Sequence, residues 1–376
     1  MRRRNTIETA MLTAMLVWLV GCGPADPPQF HLNTEGRKAD SIGRSRHEAV
    51  LGALERLYGT PDEPRVPEGV TLDIERLGMA AGRVYGDQQG RRHGLYRQHC
   101  ARCHGIGGEG TGPAALLLNP YPRDFRQGTF KYTSTASGAK PVQEDLEQTL
   151  RFGVNGTAMP SFARLSDEER TSLVEYVKYL GLRGETELFL LQLVVDEDEY
   201  LPLDMSIVTE DGVEPLAELW AESGELVVMP PPAPPVATEE QWQASVALGK
   251  EMYRNDAARC VECHGQEGRG DGETAEIYDD WNKPKAGINP AQTQALADRF
   301  TLPLQRLRPR DFTTGILRCG ERAVDLYRLT HVGIKGTPMP AAGPQPGVLG
   351  TLTPDEIWHV VHYIRHLAGQ GRPKAP

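Results

Sequence analysis

Two short cysteine motifs contain the residues best suited to do chemistry. Each reads Cys-x-x-Cys-His, once at 100–104 and again at 260–264. Two thiols at this spacing can add across the two vinyl groups of a haem. The adjacent His can then reach the iron, because one short helical turn brings all three side chains to one edge of the ring. The predicted covalent attachment points are Cys100, Cys103, Cys260 and Cys263, and the predicted proximal iron ligands are His104 and His264.

Other uses of paired cysteines explain less of the sequence. A zinc site would take the four thiols as its ligands, but it would leave the His after each pair without a role. A thioredoxin-like redox pair needs a single Cys-x-x-Cys within a βαβ unit, and this chain lacks those surroundings. Structural disulfides also leave the His unexplained. The sequence therefore predicts two covalently bound c-type haems.

Each cysteine motif begins one copy of an internal repeat. The motif is followed by Pro-Arg-Asp-Phe, at 122–125 and 309–312, and then by Gly-Thr-x-Met-Pro, at 156–160 and 336–340. Copy two carries about 27 additional residues before its Pro-Arg-Asp-Phe, in the stretch 272–302. The loops between the motifs differ in length, while the motifs keep their order. This is expected when all three motifs of a copy must contact one cofactor.

The repeated methionines and arginines are further candidates for contact with haem. Met159 and Met339 are predicted to be the sixth iron ligands, since a thioether opposite the His raises the reduction potential. The Pro after each Met restricts the local backbone, although a lone Met usually only fills a core. Arg123 and Arg310 could pair with haem propionates through their guanidinium forks, or they could belong to ordinary surface turns.

The N-terminus has the form of an export signal. Three arginines at 2–4 precede an apolar run at 10–20, which is too short to cross a membrane. The run ends in Leu-Val-Gly-Cys, which resembles the lipobox of bacterial lipoproteins. Residues 1–21 are therefore predicted to be a signal peptide, with Cys22 lipidated and anchoring the chain to a membrane. An ordinary secretory signal is the alternative.

The acidity of the chain is concentrated between the two repeats. Residues 184–249 contain no Lys or Arg, and 15 of the 51 acidic residues lie in 185–240. The rest of the chain holds 36 acidic residues against all 41 basic ones, with no basic run, so nucleic acid is not an expected partner. This stretch also includes the proline-rich segment 229–235.

The spacing of apolar residues predicts a mainly α fold. Helices are expected over 46–58, 167–180 and 354–367, and Ser166 and Thr353 are expected to cap the last two. Segment 187–195 is predicted to be a strand or a packed piece. We divide the chain into a tether with a short helix (22–84), a first haem domain (85–183), an acidic, proline-containing connector (184–240) and a second haem domain (241–370).

Together these motifs resemble class I c-type cytochromes, present as two tandem domains. The resemblance implies small helical domains in which an N-terminal helix crosses a C-terminal helix beside the haem. Gly249 and Tyr253 match the small and aromatic pair at that crossing, whereas copy one has Arg92 four residues before Tyr96. The aromatic partners would be Tyr176 or Tyr179 in copy one, and Trp358 or Tyr363 in copy two.

The resemblance implies electron transfer in a periplasmic or cell-surface respiratory chain of a bacterium. With both irons ligated by His and Met, neither offers a site for a substrate. Two alternatives stay open: a dihaem peroxidase, which would need one iron without Met, and an electron-transfer subunit of a larger oxidase or dehydrogenase complex. The expected partners are a redox donor and a redox acceptor. The sixth cysteine, Cys319, is expected to be buried and inert, or else to take a redox or intermolecular role.

Overall fold

The computed structural model describes residues 26–33, 43–196, 202–274, 277–280, 302–318, 320 and 322–372. Within them the chain is mostly helical, and its sheet is one antiparallel hairpin of Tyr85–Gly86 (β1) and Arg92–His93 (β2). The predicted mainly α class is confirmed. The helices are α1 Arg44–Tyr58, α2 Ile74–Ala80, α3 Leu95–His99, α4 Ala101–His104, α5 Gln143–Phe152, α6 Asp167–Asp196, α7 Met205–Ile207, α8 Glu214–Ala221, α9 Glu239–Arg254, α10 Cys260–His264, α11 Ala323–Val332 and α12 Pro354–Leu367.

Shorter helical turns complete the architecture. A π-helical turn at Val208–Val213 joins α7 to α8. The 3₁₀ turns are Ala115–Leu117, Phe125–Gln127, Glu222–Leu226 and Phe312–Thr314. The turns that begin at Phe125 and Phe312 are the same part of the two repeats, and both lie beside the cysteine motifs.

The first core is built around α6. Helices α1, α2 and α5 pack against it, and Tyr58, Leu95, Tyr96 and Tyr176 are buried there. The stretch predicted to be a tether is partly packed, because Phe30 and Leu32 also belong to this core. Apolar contact with the first haem domain therefore orders part of the N-terminal segment.

Helix α6 is longer than predicted. It begins at Asp167 but continues to Asp196, through the expected end of the first domain at residue 183. Gly184 permits a close approach, since a Cβ there would lie 2.2 Å from the Cα of Arg126. The packed form predicted for 187–195 is observed, as helix rather than strand, with Leu190 and Leu191 in the first core. The division into domains itself stays a prediction.

The second core is formed where α9 crosses α12. Gly249 lies at the crossing, and a Cβ on it would lie only 1.9 Å from the carbonyl oxygen of His359. One turn further on, Tyr253 meets Tyr363 with ring centroids 5.3 Å apart. Glycine is required because the two backbones are in near contact. The small and aromatic pair implied by the family resemblance thus lies at the helix crossing.

Copy one makes its corresponding contact without a long N-terminal helix. Tyr96 on the short α3 meets Tyr176, with centroids 4.8 Å apart. Arg92, where copy two has Gly249, instead forms an ion pair with Glu169 in the first turn of α6, at 2.5 Å. The aromatic contact is retained, while an ion pair takes the place of backbone contact.

The acidic connector is packed against both domains. The amide of Val228 donates to the carbonyl of Ser134 at 2.8 Å in the first domain. The indole of Trp358, in the second, donates to the carbonyl of Pro231 at 2.9 Å. The proline-rich stretch is therefore bonded to the first domain just before it begins and to the second domain at Pro231.

The two predicted helix caps are present. Ser166 and Glu169 exchange hydrogen bonds at the start of α6, as do Thr353 and Glu356 at the start of α12. Among the described residues, no helix combines the length and apolar character needed to cross a membrane.

Candidate haem sites

The first site is organised around His104, at the end of α4. Its Nδ1 lies 3.0 Å from the backbone carbonyl of Arg123, so Nδ1 carries the proton and Nε2 is the nitrogen left for a metal. Burial lowers the pKa of His104 to about 4, which keeps the ring neutral. Phe125 stacks on the imidazole at 4.4 Å and 15°. The ring is thus held in one orientation and in the protonation state that a ligand needs.

The second site repeats this arrangement. Nδ1 of His264 lies 3.2 Å from the carbonyl of Arg310, and Phe312 stacks on the ring at 4.7 Å and 21°. Burial likewise lowers the pKa of His264. The backbone carbonyl and the Phe of Pro-Arg-Asp-Phe therefore orient the imidazole, a role that the sequence analysis did not assign. The identical order of the two motifs in both copies was the available signal.

The Asp of each motif shapes the turn that presents the Phe. The Asp124 carboxylate accepts from the amide of Arg126 at 2.9 Å, and that of Asp311 accepts from the amide of Thr313 at 2.9 Å. Each Asp therefore caps its 3₁₀ turn. The Arg, Asp and Phe of the motif therefore each have a structural role.

The four motif cysteines are free thiols, two in each domain. Burial raises the pKa of Cys100 to about 12 and that of Cys260 to about 11, so both are protonated. Within the described ranges, no group of three or more His, Cys, Asp or Glu side chains is placed to hold a metal ion. The four-cysteine zinc site weighed above is therefore not formed, and the thiols remain available for thioether bonds.

The segment that carries each Met is fixed by hydrogen bonds. The Met159 amide lies 3.1 Å from Thr157 Oγ1, and its carbonyl accepts from Val154 at 3.1 Å. In copy two the Met339 amide lies 3.3 Å from Thr337 Oγ1, and its carbonyl accepts from Ile334 at 3.1 Å. The two loops have the same conformation, so each thioether is presented from a rigid turn.

One crevice in the first domain brings the predicted site residues together. It is lined by Cys100, Cys103, His104, Arg123 and Met159, and its volume, which includes solvent space at the open mouth, is about 1260 Å³. The apolar part of the wall includes Leu118, Leu146, Leu150, Leu173, Val174 and Val177.

The residues that line this crevice fit a haem. The wall is apolar, as suits a large planar ring, and two thiols, an imidazole and a thioether meet in it. Nε2 of His99 is buried in the same crevice with no hydrogen-bond partner among the described residues. Such an orphaned polar atom fits a cofactor that carries polar groups. Met159 with His104 would hold the iron, and the thiols would hold the ring edge.

The two arginines of the repeated motif lie at the contact between the domains. Arg123 Nη2 donates to the carbonyl of Lys335 at 3.1 Å, beside the Gly-Thr-x-Met-Pro loop of copy two. In the reverse direction, a Cβ on Gly156 would lie 2.9 Å from Arg310 Nη1. The Met loop of each copy therefore faces the motif arginine of the other.

A second cation that the sequence analysis missed accompanies each arginine. Lys131 lines the first crevice, eight residues after Arg123, and Arg318 follows Arg310 by the same interval. The equal interval in the two copies was a signal that could have revealed them. Of the remaining predicted residues, Cys22 and Cys319 lie outside the described residues.

Comparison with known families agrees with this geometry. The family model for subunit III of cbb3-type cytochrome c oxidase matches residues 88–177, and the cytochrome c family model matches residues 246–368. The chain therefore contains two cytochrome c domains in tandem, which imply two covalently bound haem c groups and a role in electron transfer. The predicted family and cofactor are confirmed.

A solved structure is also similar to this chain. A chain of the Kuenenia stuttgartiensis reducing HAO-like protein complex is 26% identical, with 75% of this chain and 97% of that chain covered, at a TM-score of 0.47. A search of the curated proteins found no match.

Proposed function

We propose that this chain is a dihaem electron carrier in which both irons are ligated by His and Met. The ligand pairs are His104 with Met159 and His264 with Met339. The observation that carries the proposal is that His104 and Met159 line one crevice, and that copy two repeats the hydrogen bonds which fix both segments. Haem supplies a one-electron couple, and the protein supplies two closed coordination shells and an apolar surrounding.

The contact between the domains supports passage of electrons within the chain. Arg123 and Arg310 are the propionate candidates, and each reaches the Met loop of the opposite domain. If these arginines hold propionates, residues at this contact would bind both haems. An electron that enters at one haem can then reach the other without a separate protein encounter.

We further propose that the chain works on the periplasmic side of a bacterial membrane, tethered through lipidated Cys22. The apolar run at 10–20 and the Cys that follows it support this placement. The partners would be a redox donor and a redox acceptor, either separate proteins or subunits of one respiratory complex. Replacing Cys22 with Ala should release the exported protein from the membrane fraction, and continued membrane attachment would count against the anchor.

A redox titration monitored by absorption spectra tests the proposed ligation. We expect two covalent haems per chain, both low-spin, and two potentials. Met159→Ala and Met339→Ala form a matched pair, and each should lower one potential and open one iron to an added ligand such as imidazole. If either substitution leaves both haems unchanged, the sixth ligand lies elsewhere. Rapid turnover of hydrogen peroxide by the unmodified protein would favour a peroxidase instead.

A further inference from the structure

The insertion in copy two places a carboxylate at the first haem site. Asp279 lies in the described segment 277–280 of that insertion, and only 3% of its surface is exposed. Its Oδ1 is 2.7 Å from Nζ of Lys131, which belongs to the first domain. A residue of the second domain thus forms a buried ion pair with a residue that lines the first crevice.

The segment that carries Asp279 is fixed to its own domain. The amide of Asp280 donates to the carbonyl of Gly336 at 3.0 Å, and the amide of Leu307 donates to the carbonyl of Ile277 at 2.7 Å. Ile277 is buried. Because both sides of the segment are hydrogen-bonded, the carboxylate is held in place across the domain contact.

Asp279 lies among the cations that face the first haem. Arg123 and Lys131 both line the crevice, and both interact electrostatically with the Asp279 carboxylate. A buried charge acts more strongly on its neighbours than an exposed one, since water screens it less. Asp279 therefore offsets part of the positive charge that would otherwise stabilise the reduced haem.

The second haem site has no equivalent of this carboxylate from copy one. From the motif His to the Asp of Pro-Arg-Asp-Phe, copy one runs from 104 to 124, whereas copy two runs from 264 to 311. Copy one therefore has no insertion with which to reach Arg318, the residue that corresponds to Lys131. In the described part of the chain, no carboxylate lies within ion-pair distance of Arg318.

We propose that Asp279 lowers the reduction potential of the first haem and so shifts a shared electron toward the second haem. This inference rests on the proposed function and adds an internal direction to it. The potential of a haem depends on nearby charge as well as on its ligands. Asp279 is thus a tuning residue supplied by one domain to the haem of the other.

The test is a redox titration of Asp279→Asn, which removes the charge and keeps the shape. The equilibrium constant for reduction of the first haem should rise about tenfold. This corresponds to a rise of about 59 mV in its reduction potential, since the couple transfers one electron. The potential of the second haem should change less, because the ion-pair partner of Asp279 lines the first crevice. Titration at pH 6 is preferred, because burial lowers the pKa of Lys131 to about 8 and loss of Asp279 would lower it further. A pH two units below that value favours the protonated lysine.

Further variants make the result decisive. Lys131→Gln should lower the reduction potential of the first haem. The double variant, which lacks both charges, should have a potential close to that of the parent protein. Glu251→Gln, which removes an exposed carboxylate on α9, should change neither potential. The same titrations in a Met339→His background show which potential belongs to which haem, because this change lowers the potential of the second haem and alters its absorption spectrum.

The inference is overturned if Asp279→Asn leaves the first potential unchanged or lowered in protein that carries two haems. An ion pair that only joins the domains would change the free energy of unfolding and leave both potentials unmoved, which also overturns it. Failure of the proposed function would look different, because haem content or ligation would then be abnormal in the parent protein. Should Asp279→Asn fail to fold, an unchanged first potential in Lys131→Gln overturns the inference, because charge at this ion pair would then not act on the haem.

Discussion

Arg123 of the first domain donates a hydrogen bond to the backbone carbonyl of Lys335 in the second, at 3.1 Å. The backbone carbonyl of the same arginine accepts from His104. One residue therefore joins the predicted proximal His of one domain to the Met loop of the other. A change at the domain contact can reach His104, the proposed iron ligand, through two hydrogen bonds.

Replacing Arg123 with Gln should lower the potential of the first haem, because a cation next to the proposed propionate position is lost. We expect the equilibrium constant for its reduction to fall about tenfold, which is about 59 mV in reduction potential. Arg310→Gln is the matched change, and its effect on the second haem should be smaller because Arg310 is more exposed to water. Equal shifts in the two variants would mean that burial does not set the size of the effect.

Asp124 and Asp311 occupy the same motif position but should differ in their contribution to stability. Asp124 is buried and forms an ion pair with buried Arg126 at 2.8 Å, so Asp124→Ala leaves a buried cation without that partner. We expect a loss of about 3 kcal/mol in the free energy of unfolding. Among the residues that the structure describes, the Asp311 carboxylate accepts only from the amide and hydroxyl of Thr313 within its own turn, and Asp311→Ala should cost about 1 kcal/mol. Urea unfolding of the haem-loaded variants measures both, and a larger loss at Asp311 would contradict this account.

Gly249→Ala should destabilise the second domain by about 3 kcal/mol, since the new methyl would lie 1.9 Å from the backbone oxygen of His359 and the helices would have to separate. Gly52→Ala in α1 is the control. A Cβ there meets nothing within 4 Å, and the helix should gain up to about 1 kcal/mol. Thermal unfolding reports both changes, and an unaffected Gly249 variant would show that the crossing is looser than described.

Acid should destabilise the second domain through His362. This residue is 1% exposed on α12, its Nδ1 lies 2.7 Å from Ser245 Oγ, and burial lowers its pKa from 6.5 to about 4. The folded state then binds the proton less readily than the unfolded state. Stability is therefore full above pH 6.5 and declines as the pH falls toward 4, by about 2 kcal/mol at pH 5.

The variant His362→Gln should flatten this pH dependence in urea unfolding experiments at pH 7 and pH 5. His366→Gln, on the exposed side of the same helix, should keep the slope of the parent protein. A parent slope that survives in His362→Gln would assign the acid sensitivity to another group, such as His359, whose pKa burial also lowers.

The sequence by itself determined the covalent chemistry and the helical class. Two Cys-x-x-Cys-His motifs and the ordered repeat behind them were enough to predict two cytochrome c domains, because attachment to haem depends on residues that are close along the chain. The helix caps at Ser166 and Thr353 could also be predicted from the sequence, since a capping box spans only four residues.

Only the tertiary structure decided what depends on packing between distant residues. The full length of α6 follows from burial of Leu190 and Leu191 in the first core, which no local pattern reveals. The reach of Asp279 to Lys131 depends on how two domains meet, across more than a hundred residues of sequence. The spacing of the motifs predicted the iron ligands, whereas the carboxylate beside the first site came from the contact between the domains.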